Sequence, residues 1–317
     1  MGLENSNISG SLVQPNIQSP HVNLVFRETD FTRLLTERGR IMPLKGSYPL
    51  KWNLNTVGIT AVLFDSSTPI PATQNQTYQQ ASLSPFGVMA AIGVSGEVRD
   101  QVNNGGTSED AVKLELDKGK QDCALLIEST LLGSAQDKGI ASIVDDSDTY
   151  AGLAPGSVTQ WKSQENTSTG TLTLAAFQTL YRQLFSSPRA ASPDVILADI
   201  TQVMNYVNLQ GPSATTGLVA KRELTAGGGP WDMGVFTIEQ MPSFSGIPFR
   251  AIRGLTVSEI YMLDMGKNPD DFCLIQVRDF TVEPTAKLND GNQWVMTWRG
   301  MLKVKNRRRQ GKMTGVS

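Results

Sequence analysis

Catalysis needs a few side-chain types brought close together, and this sequence is poor in the most useful of them. His21 is the one histidine among 317 residues, and it lies beside Pro20 in a polar stretch. A Ser-His-Asp or Cys-His centre would have to use it, because both need an imidazole to take the proton of the nucleophile. A solvent-exposed histidine is the plainer reading. Cys123 and Cys273 stand far apart without a CxxC spacing, so neither a zinc site nor a disulfide framework is expected, and a reducing compartment fits. Asp145, Asp146 and Asp148 gather three carboxylates that would suit Ca²⁺ or Mg²⁺. Their spacing is not that of a calcium loop, and Gly152 and Pro155 point to a solvated turn. Gly227-Gly228-Gly229 runs straight into Pro230, without the strand-glycine-helix context of a phosphate loop; a connection or pore-lining loop fits better.

One further group of chemical interest is basic. Lys303, Lys305, Arg307, Arg308, Arg309 and Lys312 crowd the carboxyl end, whereas Trp52–Val98 holds no Lys or Arg. The basic run would suit phosphate, a solvated tail, or acidic groups on another subunit. No aromatic residues interleave with it, so base-specific reading of nucleic acid is not expected. Over the whole chain 28 basic residues nearly balance 30 acidic ones, giving a net charge of −2. Apolar residues make up 39% and charged residues 18%, a balance that suits extended arms and loops packed against other chains. The amino terminus has no apolar signal-peptide core, and no stretch approaches the ~20 apolar residues that cross a bilayer. A cytosolic, soluble product without membrane contact is the expectation.

The elements that would position these residues alternate in character. Residues 1–49 read as a polar arm with one short helix, capped by Asp30 and carrying Phe31, Leu34 and Leu35, and ended by Arg38-Gly39-Arg40 and Pro43. Residues 50–94 read as a long neutral β-hairpin, with Thr56–Phe64 and Tyr78–Val94 as arms and Asp65–Gln76 as tip. Thr107–Leu132 is the strongest helix. Thr107 and Asp110 match a capping box, and Val112, Leu116, Cys123, Ile127 and Leu131 trace one stripe before Gly133. Helices are expected over Leu172–Phe185 and after Asp199, and strands at Asp194–Ala198, Val235–Glu239 and Ile247–Ile252. Phe272–Glu283 and Gln293–Val304 form an antiparallel pair across Asp290-Gly291. On the second of these Trp294, Met296, Trp298, Leu302 and Val304 share one face, opposite Gln293, Thr297, Arg299 and Lys303.

A two-stranded ribbon is marginal alone in water, and nothing near the 50–94 hairpin in sequence supplies a third strand. A neighbouring subunit is the natural support. Its large side chains Trp52, Val57, Ile59, Phe64, Tyr78 and Phe86, with Trp294 and Trp298 of the late strand, are therefore the candidate subunit contacts.

This order of polar arm, neutral hairpin, long helix, α/β insertion and late strands resembles the major capsid protein of tailed bacteriophages, the Hong Kong 97 (HK97-like) fold. Ile92-Gly93-Val94-Ser95-Gly96-Glu97-Val98 is similar to the segment that leaves the extended loop (E-loop) for the spine helix. Glu128–Gly133, Lys138-Gly139-Ile140 and Gly152-Leu153 are similar to the helix exit, Pro193–Leu197 to an axial-domain strand, and Trp298–Arg308 to the closing strand. The order and spacing of these strings carry the resemblance, most clearly over residues 85–155 and 270–312.

The resemblance implies an α+β fold made of an N-terminal arm (1–49), an E-loop hairpin (50–94), and a peripheral domain (95–150) with spine helix 107–132. An axial domain (151–267, joined by the final residues), peripheral strands (268–304) and a basic C-terminal tail (305–317) would complete it. It implies no catalytic, cofactor or metal site. The chain would assemble with itself, as hexamers and pentamers, into an icosahedral shell around packaged double-stranded DNA, in the virion, after assembly in the host cytoplasm. Portal and separate scaffolding proteins would be partners, with a cement or decoration protein as a further candidate. Arg27, Arg33, Arg38 and Arg40 on the arm would face the DNA without reading sequence. The loop lacks the lysine through which some relatives crosslink, and residues 1–49 are too few for a fused scaffolding segment. An encapsulin-like nanocompartment, another phage structural protein and an α/β enzyme on residues 150–265 are the competing readings.

Overall fold

The computed structural model describes residues 29–57, 76–94, 111–186, 191–209, 242–285 and 292–316. In chain order the elements are α1 (Asp30–Glu37), β1 (Ile41–Pro43), β2 (Leu50–Val57), β3 (Thr77–Leu83), β4 (Phe86–Val94), α2 (Ala111–Leu132) and α3 (Ile140–Ile143). There follow β5 (Gln164–Gly170), α4 (Leu174–Phe185), β6 (Val195–Ala198), α5 (Ile200–Leu209), β7 (Ser243–Phe244), β8 (Ile247–Ala251), β9 (Ile260–Leu263), β10 (Phe272–Pro284), β11 (Asn292–Val304) and β12 (Gly311–Val316). Two compact units share the chain. The first comprises Met1–Thr29, Phe86–Ser129 and Gln276–Gly300, and the second Asp30–Pro85, Thr130–Ile275 and Met301–Ser317.

In the first unit β4 and β11 run antiparallel, from Asn292↔Val94 to Gly300↔Phe86, with β10 on the other side of β11. Alternation works here as the sequence suggests: Met296 and Trp298 are buried and Arg299 is exposed. Beyond Gly300, in the second unit, both faces of β11 become buried, and Met301 and Lys303 lie inside along with Leu302 and Val304. Helix α2 has 22 residues, about 33 Å at 1.5 Å per residue. It buries Cys123 and Ile127. A glycine in a helix interior costs roughly 0.5–1 kcal/mol relative to alanine, and Gly119 has a reason to be there. A Cβ on it would lie 2.3 Å from Ile92 Cδ1 of β4, so the missing side chain lets helix and sheet approach. Thr107 and Asp110 lie outside the described residues.

The hairpin differs from the sequence expectation. The return arm is not one strand: β3 ends at Leu83, Ser84-Pro85 intervene, and β4 pairs with β11 instead. Pro85 has no N–H to give a ladder and fixes its φ, so a strand breaks there. The ribbon is β2 with β3, paired from Leu50↔Leu83 to Val57↔Thr77 with an irregularity after Asn55. Its base is built into the second unit: Ala81 and Leu83 are buried, and Ser82 donates its N–H to the Ala151 carbonyl at 2.8 Å. Toward the tip, Thr77–Gln80 are exposed. The tip itself, with Ile59 and Phe64, lies outside the described residues up to Gln76.

The second unit centres on a six-stranded sheet in the order β5-β12-β9-β6-β8-β7. Every residue of β6 and β9 is buried. Helix α4 contributes Phe177, Leu180 and Leu184, and α5 contributes Val203 and Tyr206, to a core with Ile196, Phe249, Ile260, Met262 and Met313. Aromatic rings tie the two helices to the sheet, with Tyr206–Phe249 at 4.5 Å and Phe177–Tyr206 at 5.2 Å between centroids. Caps fix the helix starts: Thr173 Oγ1 accepts from Ala176 N–H at 3.2 Å, and Asp199 Oδ1 from Thr201 N–H at 2.8 Å. Helix α1 buries Phe31, Leu34 and Leu35 and ends at Gly39, whose φ of +62° suits glycine. From Asp30 on, the expected arm is therefore part of this unit, and residues before 29 lie outside the described ones. Gly227–Pro230 and Val235–Glu239 also lie outside them.

Candidate assembly interface and the buried cations

The candidate contact residues fall into two groups. Phe86 and Trp298 are 8% and 3% exposed, and their rings meet at 5.5 Å inside the first unit. They are core residues of the β4–β11 pair, unlike the surface contacts expected of them, because their side chains point to the face that α2 covers. Trp294 is half-buried and borders an open hollow with Ala91, Ile92 and Val295. On the ribbon, Tyr78 is 61% exposed and its hydroxyl donates to Gln76 Oε1. Val57 closes β2. Trp52 is half-buried at the ribbon's base, 6.5 Å from the Tyr150 ring, with the Lys303 ammonium 5.9 Å from its centroid. Its indole N–H is buried and has no acceptor among the described residues.

The arginines expected to face DNA are mostly engaged in the fold. Arg33 is half exposed and stands between Asp30 at 3.5 Å and Glu37 at 3.6 Å. Arg38 pairs with the Asp194 carboxylate at 3.1 Å. Arg40 is 7% exposed and donates to the Gly266 and Asn268 carbonyls, so it is a structural cation rather than a surface one. Arg27, like His21, lies outside the described residues.

The C-terminal cations are the largest departure. Residues 311–316 form β12, which pairs parallel with β5 and antiparallel with β9. What reads as a solvated basic tail is an interior strand. Arg307 is fully buried. Its guanidinium donates to the carbonyls of Ile143 at 2.6 Å and Ser142 at 3.2 Å, and to those of Asp145 and Asp148. These are the carbonyls left open around the end of the short α3. Burial pulls the Arg307 pKa down, and the neighbouring Asp145 and Asp148 oppose that pull. Lys303 reaches Asp270, and Arg309 reaches Asp264 at 2.8 Å. Tyr150, fully buried, donates to the Leu302 carbonyl at 3.1 Å and accepts from Val304 N–H at 2.8 Å. Sequence reasoning missed this framework. No period-2 pattern marks this strand, since its two apolar residues, Met313 and Val316, stand three apart.

The acidic cluster also takes a different form. The carboxylates of Asp145, Asp146 and Glu165 converge, while Asp148 contributes its carbonyl to Arg307. Lys312, only 5% exposed, places its ammonium 2.7 Å from Asp145 Oδ2 and 3.8 Å from Glu165 Oε1. A side-chain cation thus fills the position a metal ion would take. Burial alone would raise the Asp145 pKa, but hydrogen bonds from Lys312, from the hydroxyl and N–H of Ser147, and from Asp148 N–H outweigh it. They hold the carboxyl well below its usual range. Both cysteines are buried and free, and burial pushes the Cys273 thiol up to about 11.

Neither a comparison with protein-family models nor one with curated proteins finds a match. Solved structures do match, nearly end to end. A cyanophage A-1(L) capsid protein superposes with a TM-score of 0.69 at 14% identity, over 97% of this chain and 98% of that one. The capsid protein of a native GTA particle gives 0.64 at 12% identity, over 98% and 100%. The SrpI encapsulin of Synechococcus elongatus PCC 7942 gives 0.59 at 13% identity, over 96% and 93%. The chain therefore has the α+β fold of capsid-shell proteins, in agreement with the resemblance carried by its sequence strings.

Proposed function

We propose that this chain is a major capsid protein of a tailed bacteriophage, which assembles as hexamers and pentamers into an icosahedral shell around double-stranded DNA. The observation that carries the reading is the near full-length likeness to a cyanophage capsid protein. The ribbon supports it, because Thr77–Gln80 of β3 are exposed and β2 pairs with β3 alone among the described residues. On this reading residues 151–267 act as the axial domain and α2 as the spine. Trp52, Val57, Tyr78 and Trp294 remain contact candidates, with Ile59 and Phe64 on the loop. The work of the protein is burial between copies, with interfaces of the order of 2,000 Å² or more, and no chemical step. The DNA is held by distributed cations, for which Arg27 and Arg33 are the candidates. Portal, scaffolding and cement proteins are the further partners, and assembly takes place in the host cytoplasm.

A second reading, an encapsulin-like compartment, is favoured by the SrpI encapsulin likeness. Electron microscopy of the purified, expressed chain tests the common core of both. Closed shells or capsomers are expected, and a stable monomer over a wide concentration range refutes both. Nuclease-protected genome-length DNA in particles from the native source separates them, since a compartment for enzyme cargo would hold none.

A further inference from the structure

The second unit holds a cleft of about 340 Å³ beside the ribbon. Asn53, Leu54, Asn55 and Thr56 of β2 line it, facing Trp161, Arg308 and Arg309. Successive side chains of a strand point to opposite faces, so a hollow lined by four in a row runs along the strand's edge. The ladder register identifies the backbone groups that open into it. Ser82 donates its N–H away from the ribbon, to Ala151. Ser82 and its partner Lys51 are therefore a non-hydrogen-bonded pair, whose backbone groups point outward on both strands. By alternation Asn53, opposite Gln80, and Asn55, opposite Tyr78, belong to the same row. By this register their N–H and C=O groups point away from β3, on the side where Asn53–Thr56 line the cleft. Among the described residues β2 pairs with β3 alone.

Charge points the same way. Arg309 in this cleft is neutralised by Asp264 at 2.8 Å and Lys305 by Asp271 at 3.7 Å, whereas Arg308 has no carboxylate among the described residues. An open strand edge beside an unmatched guanidinium fits an extended segment that carries an Asp or Glu. The ribbon is anchored at its base by Ala81, Leu83 and the Ser82–Ala151 hydrogen bond, and a third strand would stabilise its distal half in every copy. In an assembly of one repeated chain a second copy is present in that ratio at every ribbon, which makes it the occupant to test first.

We propose that an extended, carboxylate-bearing segment of a second copy of this chain adds to β2 as a third strand, with its carboxylate on Arg308. The proposal rests on the shell-protein reading. Asn53→Pro tests the strand addition, because it removes an outward N–H and leaves the β2–β3 ladder intact. Arg308→Glu tests the charge from outside the hairpin. Both variants should keep the circular dichroism and melting of the unassembled wild type. Each should assemble only at roughly tenfold higher protein concentration, the effect of losing about 1.4 kcal/mol per contact. A photo-crosslinking residue at Asn55, in shells mixed from heavy- and light-isotope chains, should yield heavy–light peptide pairs. Same-chain pairs alone, crosslinks to a different protein, or wild-type assembly by both variants overturns the proposal and leaves the shell reading standing. A wild-type chain that stays monomeric at every concentration overturns both.

Discussion

Arg307 offers a direct measure of whether the basic end of the chain serves the fold or a polyanion. Truncation to alanine strips five N–H donors from a site with no solvent exposure. The Ser142 and Ile143 carbonyls sit on buried residues and would lose their guanidinium partner, while Asp145 and Asp148 lie close enough to the surface to recover water. An orphaned buried acceptor costs about 1–3 kcal/mol, so the two buried carbonyls together cost about 2–6 kcal/mol. Loss of the packed stem adds to this, and relief of the buried charge subtracts from it. A net loss of about 4 kcal/mol is expected, in the range found when one partner of a buried ionic contact is removed. For a unit of this size that corresponds to a drop of roughly 8–16 °C in melting temperature. Arg307→Lys keeps the charge but cannot reach four carbonyls from one ammonium, so about half the loss should remain. The assay is urea and thermal unfolding of the unassembled chain, with Arg308→Ala as a neighbour expected to stay within about 0.5 kcal/mol. An Arg307→Ala chain as stable as wild type, with weakened DNA retention in particles, would refute the structural role.

Three further perturbations follow from the same packing. A Cβ on Gly139 would lie 1.8 Å from the Gly133 carbonyl oxygen, and backbone cannot yield as a side chain does. Gly139→Ala should therefore lose about 2–3 kcal/mol or fail to fold, whereas Gly156→Ala, with nothing within 4 Å, should be nearly silent in the same unfolding assay. Cys123 and Cys273 should resist a thiol reagent at pH 8 until denaturant is added, since burial raises both thiols; stoichiometric labelling of the native chain within minutes would contradict this. Asp145 has a depressed pKa in the folded chain, so its contribution is complete above the unfolded value of about 3.9 and is lost as pH falls below it. Asp137 and Asp194 shift upward through burial and act in the opposite sense. The test is thus the difference between wild type and Asp145→Asn, whose stability should fall less steeply from pH 5 to pH 2.

What could be read in the sequence was what local periodicity encodes. The stripes of α2 and α4, the Asp199 cap and the long strands β10 and β11 were legible, because a buried face repeats every 2 or 3.6 residues. The buried face of α5 was not, since its apolar Ile200 and Met204 are exposed while Gln202, Val203 and Tyr206 are buried. The polar strand β5 was not, since Gln164–Gly170 carries no apolar pattern and owes its state to a parallel partner far along the chain, β12. The reading of Tyr78–Val94 as one arm passed over Pro85, a strand breaker, and nothing local says that β4 leaves the ribbon for β11. Among the site residues, the exposed Tyr78 was legible from its place in an unsupported ribbon. The burial of Phe86 and Trp298 was not, for a large aromatic on a two-faced strand looks the same whether the covering layer is its own helix or another copy.

The charges failed for a deeper reason, and it bears on the proposed contact with DNA. A run of Lys and Arg reads as solvated because its partners, Asp145, Asp264 and Asp270, are distant in sequence. Once Arg40, Lys303, Arg307 and Lys312 are assigned to the interior, the cations near α1 are left interleaved with acids. Arg33 lies between Asp30 and Glu37, Arg253 is 3.9 Å from Asp30, and Arg250 is 3.8 Å from Glu37. Three guanidiniums against two carboxylates leave one net positive charge. Each phosphate neutralised changes the slope of log affinity against log salt by about −0.9, so such a face would bind duplex DNA weakly and release it readily as salt rises. Base reading would need bidentate donors free of acidic neighbours, and this face has its donors already engaged. On the proposed capsid reading, that combination would suit a wall around a dense polyanion that must later leave.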